Sequence, residues 1–222
     1  MFIAHASDTH DRPELITSIG DVTCDIILLT GDILNNRGRI NGEGIQAPLE
    51  YKYQERWSRR QAKRWVPAFK GRDVIIVPGN HDFYNVERAL LRYGHPKDNL
   101  HLITETNPCL TVQDVRFAGF RQIPWIAGEW MGEVHDTAAH VERAMSCDPE
   151  ILVTHAPPGG ILDKTNDGTG YGIPSLTTWL SYRPHSVRAH FFGHAHMQGG
   201  QDTEEMGIRF FNGACHMKVH EV

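Results

Sequence analysis

The sequence predicts an α/β protein in which short buried strands alternate with helices. Runs of about four branched apolar residues recur along the chain, and such runs without a polar interruption are typical of strands covered on both faces. Segments with apolar residues at helical spacing lie between them. At 222 residues the chain fits one large domain, which we expect to span residues 1–222.

Residues 74–77, with the sequence VIIV, are the strand around which the chain is organised. Pro78-Gly79 ends this strand and is followed at once by Asn80, His81 and Asp82. Ligands gather at the carboxyl ends of strands in open α/β sheets. An isolated Gly-Asn-His-Asp is as often an ordinary polar turn, so its meaning depends on the other strand ends.

Four further predicted strands end in the same way. Residues 2–6 precede Asp8 and His10, residues 25–30 precede Asp32, residues 151–154 precede His155, and residues 190–193 precede His194 and His196. The remaining pattern predicts helices near residues 15–19, 50–66, 83–93, 133–147 and 175–180, a hairpin that turns at residues 113–114, and a late strand at residues 207–212.

Composition argues against several classes of protein. The apolar runs are far shorter than the ~20 residues that span a bilayer, and the first residues lack the basic region of a secretory signal. We therefore expect a cytoplasmic protein without a membrane segment. A net charge of −5 argues against extended nucleic acid as a partner. The four cysteines form no CxxC pair, which predicts buried free thiols.

The five strand ends together predict a metal centre. Because adjacent strands lie ~5 Å apart, their ends converge within roughly 10 to 15 Å. Imidazoles mixed with carboxylates and one amide suit borderline divalent ions such as Mn²⁺, Fe²⁺ or Zn²⁺. Seven ligands exceed the needs of one ion, so we expect two ions that share a carboxylate, an arrangement suited to in-line displacement at phosphorus. The predicted ligands are Asp8, His10, Asp32, Asn80, His155, His194 and His196.

The order and type of these motifs resemble the calcineurin-like metallophosphoesterase family. They span residues 8 to 196, nearly the whole chain. The resemblance implies a four-layer α/β/β/α sandwich, two mixed β-sheets flanked by helices with a dinuclear metal site at the strand carboxyl ends. It implies that Asp8, His10 and His196 bind one metal and that Asn80, His155 and His194 bind the other.

The same resemblance implies that Asp32 bridges the metals and that His81 is the catalytic acid. His81 would protonate the leaving oxygen, or stabilise its charge, as a metal-bound hydroxide attacks phosphorus in line. We expect Mn²⁺ as the metal, with iron, Zn²⁺ or Ni²⁺ as alternatives. In the Ser/Thr phosphatases of this superfamily, an Asp three residues after the bridging Asp orients the catalytic His; here that position is Asn35, followed by Asn36. This departure argues against a protein phosphatase.

The segment from residue 151 to 163, the residues around His194 and His196, and Asn212 resemble small metallophosphoesterase-domain proteins related to class III cyclic nucleotide phosphodiesterases. The resemblance favours hydrolysis of a phosphodiester, a nucleotide or cyclic nucleotide, over a phosphomonoester. A scaffold that binds metal without catalysis is a third reading, although no ligand is missing. Substrate choice is expected to depend on the loops at residues 39–49, 120–132 and 157–173, and Arg121 is a candidate phosphate or base contact.

Overall fold

The computed structural model describes residues 1–38, 44–165 and 168–222. The strands of these residues, in chain order, are β1 (Phe2–Ser7), β2 (Ile26–Leu29), β3 (Asp73–Ile76), β4 (Leu100–Leu102), β5 (Cys109–Val112), β6 (Val115–Phe120), β7 (Ile123–Pro124), β8 (Glu133–Val134), β9 (Ile151–Thr154), β10 (Ala189–Phe192), β11 (Asp202–Glu205), β12 (Ile208–Asn212) and β13 (His216–Glu221).

These strands form two large mixed sheets. The first sheet has the order β13-β1-β2-β3-β4, in which β1 to β4 are parallel and β13 is antiparallel to β1. The second has the order β11-β12-β10-β9-β6-β5, with antiparallel strands only at its two edges. The short strands β7 and β8 pair separately.

Helices cover the outer face of each sheet. The first sheet carries α1 (Glu14–Thr17), α2 (Ala47–Phe69) and α3 (Glu87–Arg92), and the second carries α4 (Ala138–Met145) and α5 (Pro174–Tyr182). A separate apolar cluster fills the space between the two sheets. The predicted four-layer sandwich is therefore confirmed.

Strand β3 shows why the apolar runs have no polar interruption. Val74 and Ile76 pack into the cluster beneath the helices, whereas Ile75 and Val77 pack between the sheets. Successive strand residues face opposite sides, and both sides of this sheet are covered. The strand is covered on both faces, as predicted, and it lies inside the sheet, in which β2 is the middle strand.

Several elements differ from their predicted bounds. The helix predicted at residues 133–147 begins only at Ala138, because Glu133 and Val134 pair with β7. The helix predicted from residue 83 begins at Glu87, since the preceding chain is held by other contacts described below. Strands β11 and β13 were not predicted, because most of their residues are exposed and polar.

The prediction of four buried free thiols is wrong. Cys109 on β5 and Cys147 after α4 form a disulfide with a Cα–Cα distance of 5.8 Å, which is ordinary for such a bond. Helix α4 packs beside β6, the partner of β5, and this brings together two cysteines that are 38 residues apart. Cys24 is a buried free thiol, and Cys215 is free but half-buried. Disulfides are uncommon in reducing compartments, so the cytoplasmic location stays a prediction.

None of the helices in the described residues has the length and apolar character needed to cross a membrane.

Candidate metal centre

The ends of β1, β2, β3, β9 and β10 meet at one edge of the sandwich. The first three strands are neighbours in the first sheet, and the last two are neighbours in the second. The residues that follow them approach one another through the contacts described below, and they are Asp8, His10, Asp32, Asn80, His81, His155, His194 and His196. All eight side chains predicted from the sequence are thus brought together, and we call them the floor of the site.

The backbone turns sharply where the strands end. Asp8, Asp32 and His194 have φ values of 50°, 53° and 67°, a left-handed conformation that is uncommon outside glycine and concentrates at functional sites. Two glycines allow the chains to come this close. A Cβ atom at Gly79 would overlap the Asp32 carboxylate, and one at Gly193 would overlap Asp8. The close approach of these turns therefore requires glycine at both positions.

Asp8 joins the two sheets. Its Oδ2 accepts hydrogen bonds from the Ser7 hydroxyl at 2.6 Å and from the backbone N–H of His194 at 2.8 Å. Its Oδ1 lies 3.0 Å from Nε2 of His196. The carboxylate is buried, so these contacts fix its orientation towards the second sheet.

Asp32 lies at the centre of the imidazoles. Its Oδ1 accepts a hydrogen bond from the backbone N–H of His81 at 2.7 Å. Its Oδ2 faces Nε2 of His155 at 3.4 Å, of His10 at 3.7 Å and of His81 at 4.0 Å. One buried carboxylate oxygen is therefore within reach of three imidazole nitrogens.

The Asp82 carboxylate organises the loops beneath this centre. It accepts hydrogen bonds from the backbone N–H groups of Asp32 at 2.8 Å, Leu34 at 3.0 Å and Gly79 at 2.9 Å. Burial, together with the nearby Asp32 charge, raises the pKa of Asp82. Its side chain is fully used in joining the loop after β2 to the loop after β3, so it faces the backbone and not the floor.

The contacts of His155 test whether a cation fits. Its Nδ1 lies 2.8 Å from the Thr30 carbonyl oxygen, which can only accept, so Nδ1 carries the hydrogen. In a neutral ring Nε2 is then an acceptor. It faces two more acceptors, Asn80 Oδ1 at 2.9 Å and Asp32 Oδ2 at 3.4 Å. Three buried acceptors that converge without a donor fit a bound cation.

The electrostatics of the floor lead to the same conclusion. Burial would raise the pKa of Asp8, but the hydrogen bond from His196 lowers it to about 2. Burial would lower the pKa of His155, but the Asp32 carboxylate raises it to about 9. The hydrogen bond to Asp8 raises the pKa of His196 to about 10. In the described part of the chain no Lys or Arg pairs with either aspartate. Without a metal ion, the positive charge that the buried carboxylates attract is therefore carried by protons on His155 and His196, and a bound cation would replace these protons.

Three sets of side chains have ligand atoms within 4.8 Å of one another. They are Asp8, His10 and His196; His10, Asp32 and His81; and Asp8, Asp32 and His155. The first is the set that the family resemblance implies for one metal. His194 lies outside these sets, although its ring centroid is 5.0 Å from that of His155. Burial lowers the pKa of His194 to about 4, so its ring is neutral at pH 7, as a metal ligand requires.

Comparison with known proteins agrees with this geometry. The family model of the calcineurin-like phosphoesterases matches residues 1–198. The chain belongs to the calcineurin-like phosphoesterase family. It is therefore assigned to a family of phosphoric ester hydrolases, for which divalent metal ions are implied.

Two individual proteins are similar to this chain. A UPF0046 protein of Caenorhabditis elegans is 26% identical over an alignment of 210 residues. The match covers 87% of this chain, and the chain spans 63% of the length of that relative. The crystal structure of a dimetal phosphatase from Danio rerio covers 96% of this chain, and the match takes in 86% of that chain, with a TM-score of 0.52 and 13% identity. At this identity the second likeness supports the fold.

A cavity of about 470 Å³ opens above the floor. Asp32, His81 and His196 are among its lining residues, and Ile126, Trp130, Thr165 and Tyr171 also line it. We call the aromatic residues Trp130 and Tyr171, together with the neighbouring Ile126, the aromatic wall. No Lys or Arg is among the described residues that line this cavity.

Glu133 holds the segment of the wall that contains Ile126 and Trp130. Its Oε2 accepts hydrogen bonds from three successive backbone N–H groups, of residues 126, 127 and 128, at 2.6–2.9 Å. Its Oε1 accepts one from Trp130 at 3.1 Å. These four donors outweigh the effect of partial burial and lower the pKa of Glu133. The Trp130 ring then packs on the His81 ring with centroids 3.8 Å apart.

Gln54 in α2 holds the chain that follows His81. Its Nε2 donates to the His81 carbonyl oxygen at 2.7 Å, and its Oε1 accepts from the backbone N–H groups of Phe83 and Tyr84 at 2.8 and 2.9 Å. The amide is fully buried. The sequence analysis did not single out Gln54. The signal that could have shown it was a polar residue on the apolar face of the predicted helix.

Two further expectations are corrected or limited by the structure. Arg121, a candidate phosphate contact, donates from its guanidinium to the carbonyl oxygens of Gly79 at 2.6 Å and Asp82 at 3.1 Å. It therefore supports the loop after β3 and does not line the main cavity. Of the three loops expected to control substrate choice, residues 39–43 and 166–167 lie outside the described residues.

Proposed function

We propose that this phosphoesterase is a dinuclear-metal phosphodiesterase that acts on a nucleotide or cyclic nucleotide. The observation that supports this proposal most strongly is the cavity. It has candidate metal-binding side chains at its floor and a wall of apolar and aromatic side chains. We propose Mn²⁺ as the metal, with the ligand assignments that the family resemblance implies. Asp8, His10 and His196 would hold one ion, Asn80, His155 and His194 would hold the other, and Asp32 would contribute to both.

The bound ions would supply Lewis acidity to the phosphoryl oxygens and would lower the pKa of the attacking water. The chain supplies the remaining functions. The Thr30 carbonyl oxygen fixes the orientation of His155 through a hydrogen bond of 2.8 Å to Nδ1, so that Nε2 faces the floor. Such outer partners decide which ring nitrogen faces a metal.

His81 is proposed as the general acid. Its Nε2 lies 4.0 Å from Asp32 Oδ2 and faces the cavity floor, so it can deliver a proton to a leaving oxygen there. Burial lowers the pKa of His81 and the Asp32 carboxylate raises it, with a net decrease. The Trp130 ring covers one face of the imidazole and excludes water from that side.

The charge of the cavity supports a diester. At pH 7 a phosphomonoester carries between −1.5 and −2 charges, because its second pKa is about 6, whereas a diester carries one. Sites for the more highly charged group commonly add arginine to the metals. The described lining residues include no Arg or Lys, and the Arg121 guanidinium is bound to two carbonyl groups.

The aromatic wall supports an ester with a large planar substituent. Tyr171 and Trp130 present ring surface, and Ile126 presents an exposed apolar side chain. A nucleobase can pack on such surfaces. The second ester group of a diester would lie against this wall while its phosphate lies at the floor.

Hydrolysis of bis-p-nitrophenyl phosphate and of p-nitrophenyl phosphate tests the proposal. The protein is stripped of metal, reloaded with Mn²⁺ and compared with Asp32→Ala as the blank. We expect metal-dependent turnover with the larger kcat/KM for the diester. A larger kcat/KM for the monoester would replace the proposal with a phosphomonoesterase, and turnover of neither ester, nor of a panel of cyclic nucleotides, would favour a metal-binding scaffold.

A further inference from the structure

Asn36 makes two hydrogen bonds to a single residue, His81. The Asn36 amide oxygen lies 2.9 Å from the imidazole Nδ1, and the Asn36 amide nitrogen lies 3.0 Å from the His81 carbonyl oxygen. The two residues are 45 positions apart in the sequence. Asn36 therefore contacts both the ring and the backbone of the residue proposed as general acid.

The pair of contacts decides which ring nitrogen of His81 carries hydrogen. A carbonyl oxygen can only accept, so the group of Asn36 that faces it is the NH₂. The oxygen of the same amide then faces Nδ1, and Nδ1 must donate. The hydrogen on Nδ1 leaves Nε2 as the nitrogen that faces Asp32 and takes or gives the catalytic proton.

We propose that Asn36 is a positioning residue that fixes the Nδ1–H form and the ring orientation of His81, so that Nε2 is directed at the leaving group. This inference rests on the proposed function, because it gives His81 the role of acid. Gln54 and Trp130 hold the backbone and one ring face of His81. Neither contact distinguishes Nδ1 from the carbon on the other side of the ring. The hydrogen bond of 2.9 Å to the Asn36 oxygen does, whereas Nε2 lies 4.0 Å from Asp32, too far for a hydrogen bond. Asn36 therefore opposes a ring flip.

The side chain of Asn36 suits this position better than a carboxylate of the same shape. An aspartate would still accept from Nδ1, but its second oxygen would face the His81 carbonyl oxygen, and two acceptors repel. Asn36→Asp therefore keeps one half of the contact, whereas Asn36→Ala loses both. Asn35 is the matched control, because its side chain forms no hydrogen bond within the described residues and is of the same type.

Nuclear magnetic resonance of the histidine ring nitrogens tests the first half of the inference. The protein is labelled with ¹⁵N-histidine and loaded with diamagnetic Zn²⁺, and the His81 signals are assigned by their loss in His81→Ala. We expect a single Nδ1–H form in the wild type and in Asn35→Ala, and a mixture of the two forms in Asn36→Ala. An unchanged Nδ1–H form in Asn36→Ala would overturn the inference.

The dependence of rate on the leaving group tests the second half. Methyl p-nitrophenyl phosphate and methyl phenyl phosphate share one substituent and differ in how much the leaving oxygen needs a proton; the corresponding monoesters replace them if the enzyme prefers monoesters. We expect Asn36→Ala to lower kcat for the phenyl ester about 10²-fold, at the lower end of the range for general acids. For the p-nitrophenyl ester we expect a decrease of about 10-fold or less, with KM and metal content unchanged and Asn36→Asp intermediate.

The effect should disappear when His81 is absent. Adding Asn36→Ala to His81→Ala should cause no further loss, because the two residues act as one unit. Equal losses on both esters, or a further loss in the double variant, would show that Asn36 is only structural. If the wild type hydrolyses no ester, the proposed function fails, and the ring-nitrogen signals decide the positioning role separately. A fixed Nδ1–H form in the wild type that is lost in Asn36→Ala supports this role. A mixture of the two forms in the wild type overturns it.

Discussion

The floor and the aromatic wall of the cavity are held in different ways. Floor residues follow buried strands of both sheets, and hydrogen bonds between the sheets join them, as at Asp8 and His155. The Trp130 segment of the wall is held mainly by one partly exposed side chain, Glu133. The comparison indicates that the floor is held by the two sheets, whereas the Trp130 segment depends on Glu133. This segment touches the floor at two points, the ring contact between Trp130 and His81 and a hydrogen bond of 2.9 Å from the Met131 N–H to the Asn80 carbonyl oxygen.

The largest expected effect comes from removing the centre of the floor. Asp32→Ala deletes the carboxylate that faces three imidazoles, so we expect loss of bound metal together with turnover at the level of the metal-free protein. Metal content by plasma mass spectrometry and hydrolysis of both nitrophenyl esters measure this. Asp98→Ala, at an exposed position, should match the wild type. Full metal content with normal turnover in Asp32→Ala would end the assignment of Asp32 as the shared ligand.

Removing the acid should separate metal binding from turnover. His81→Ala leaves the predicted ligands in place, so we expect unchanged metal content and a loss of kcat of about 10²- to 10⁴-fold on an ester with a poor leaving group. The loss should be smaller on an activated nitrophenyl ester. The same measurements as for Asp32→Ala apply. Wild-type rates on the poor leaving group would show that another residue is the acid.

The difference between floor and wall also explains how much could be predicted from the sequence. Each floor residue follows an apolar strand within a few residues, so a short window of sequence shows both the strand and the side chain that it presents. The two-sheet sandwich followed from the family resemblance of these motifs. Which atoms converge could be predicted because parallel strands end at one edge, although the metal-binding roles themselves stay predictions.

The contacts of the supporting residues could not be predicted, because their partners are distant in the chain. Gln54 binds backbone groups 27 to 30 residues away, and Asn36 binds a residue 45 positions away. The disulfide between Cys109 and Cys147 likewise depends on how α4 packs beside β6. A single sequence shows residue types at these positions, but the contacts exist only after the sheets and helices have packed.

The smallest expected effect comes from loosening the wall. Glu133→Gln replaces a charged acceptor of four N–H groups with a neutral amide. We expect a cost of about 1 kcal/mol in unfolding free energy, at the low end for hydrogen bonds to a charged group because Glu133 is partly exposed. For a protein of this size that lowers Tm by about 2–4 °C. KM for the diester should rise while kcat for bound substrate and metal content stay near wild type, and Glu204→Gln, exposed on β11, is the control.

The stability that Glu133 contributes depends on pH in a defined direction. The pKa of Glu133 is lowered in the folded protein, so its contribution to stability is complete above the ordinary glutamate pKa of about 4.3 and is lost as pH falls through the lowered value. The difference in Tm between wild type and Glu133→Gln should therefore be constant from pH 6 to 8 and should shrink below about pH 4. If the difference persisted undiminished in acid, the charge of Glu133 would not be its source. If Glu133→Gln lost metal, the floor would depend on the wall.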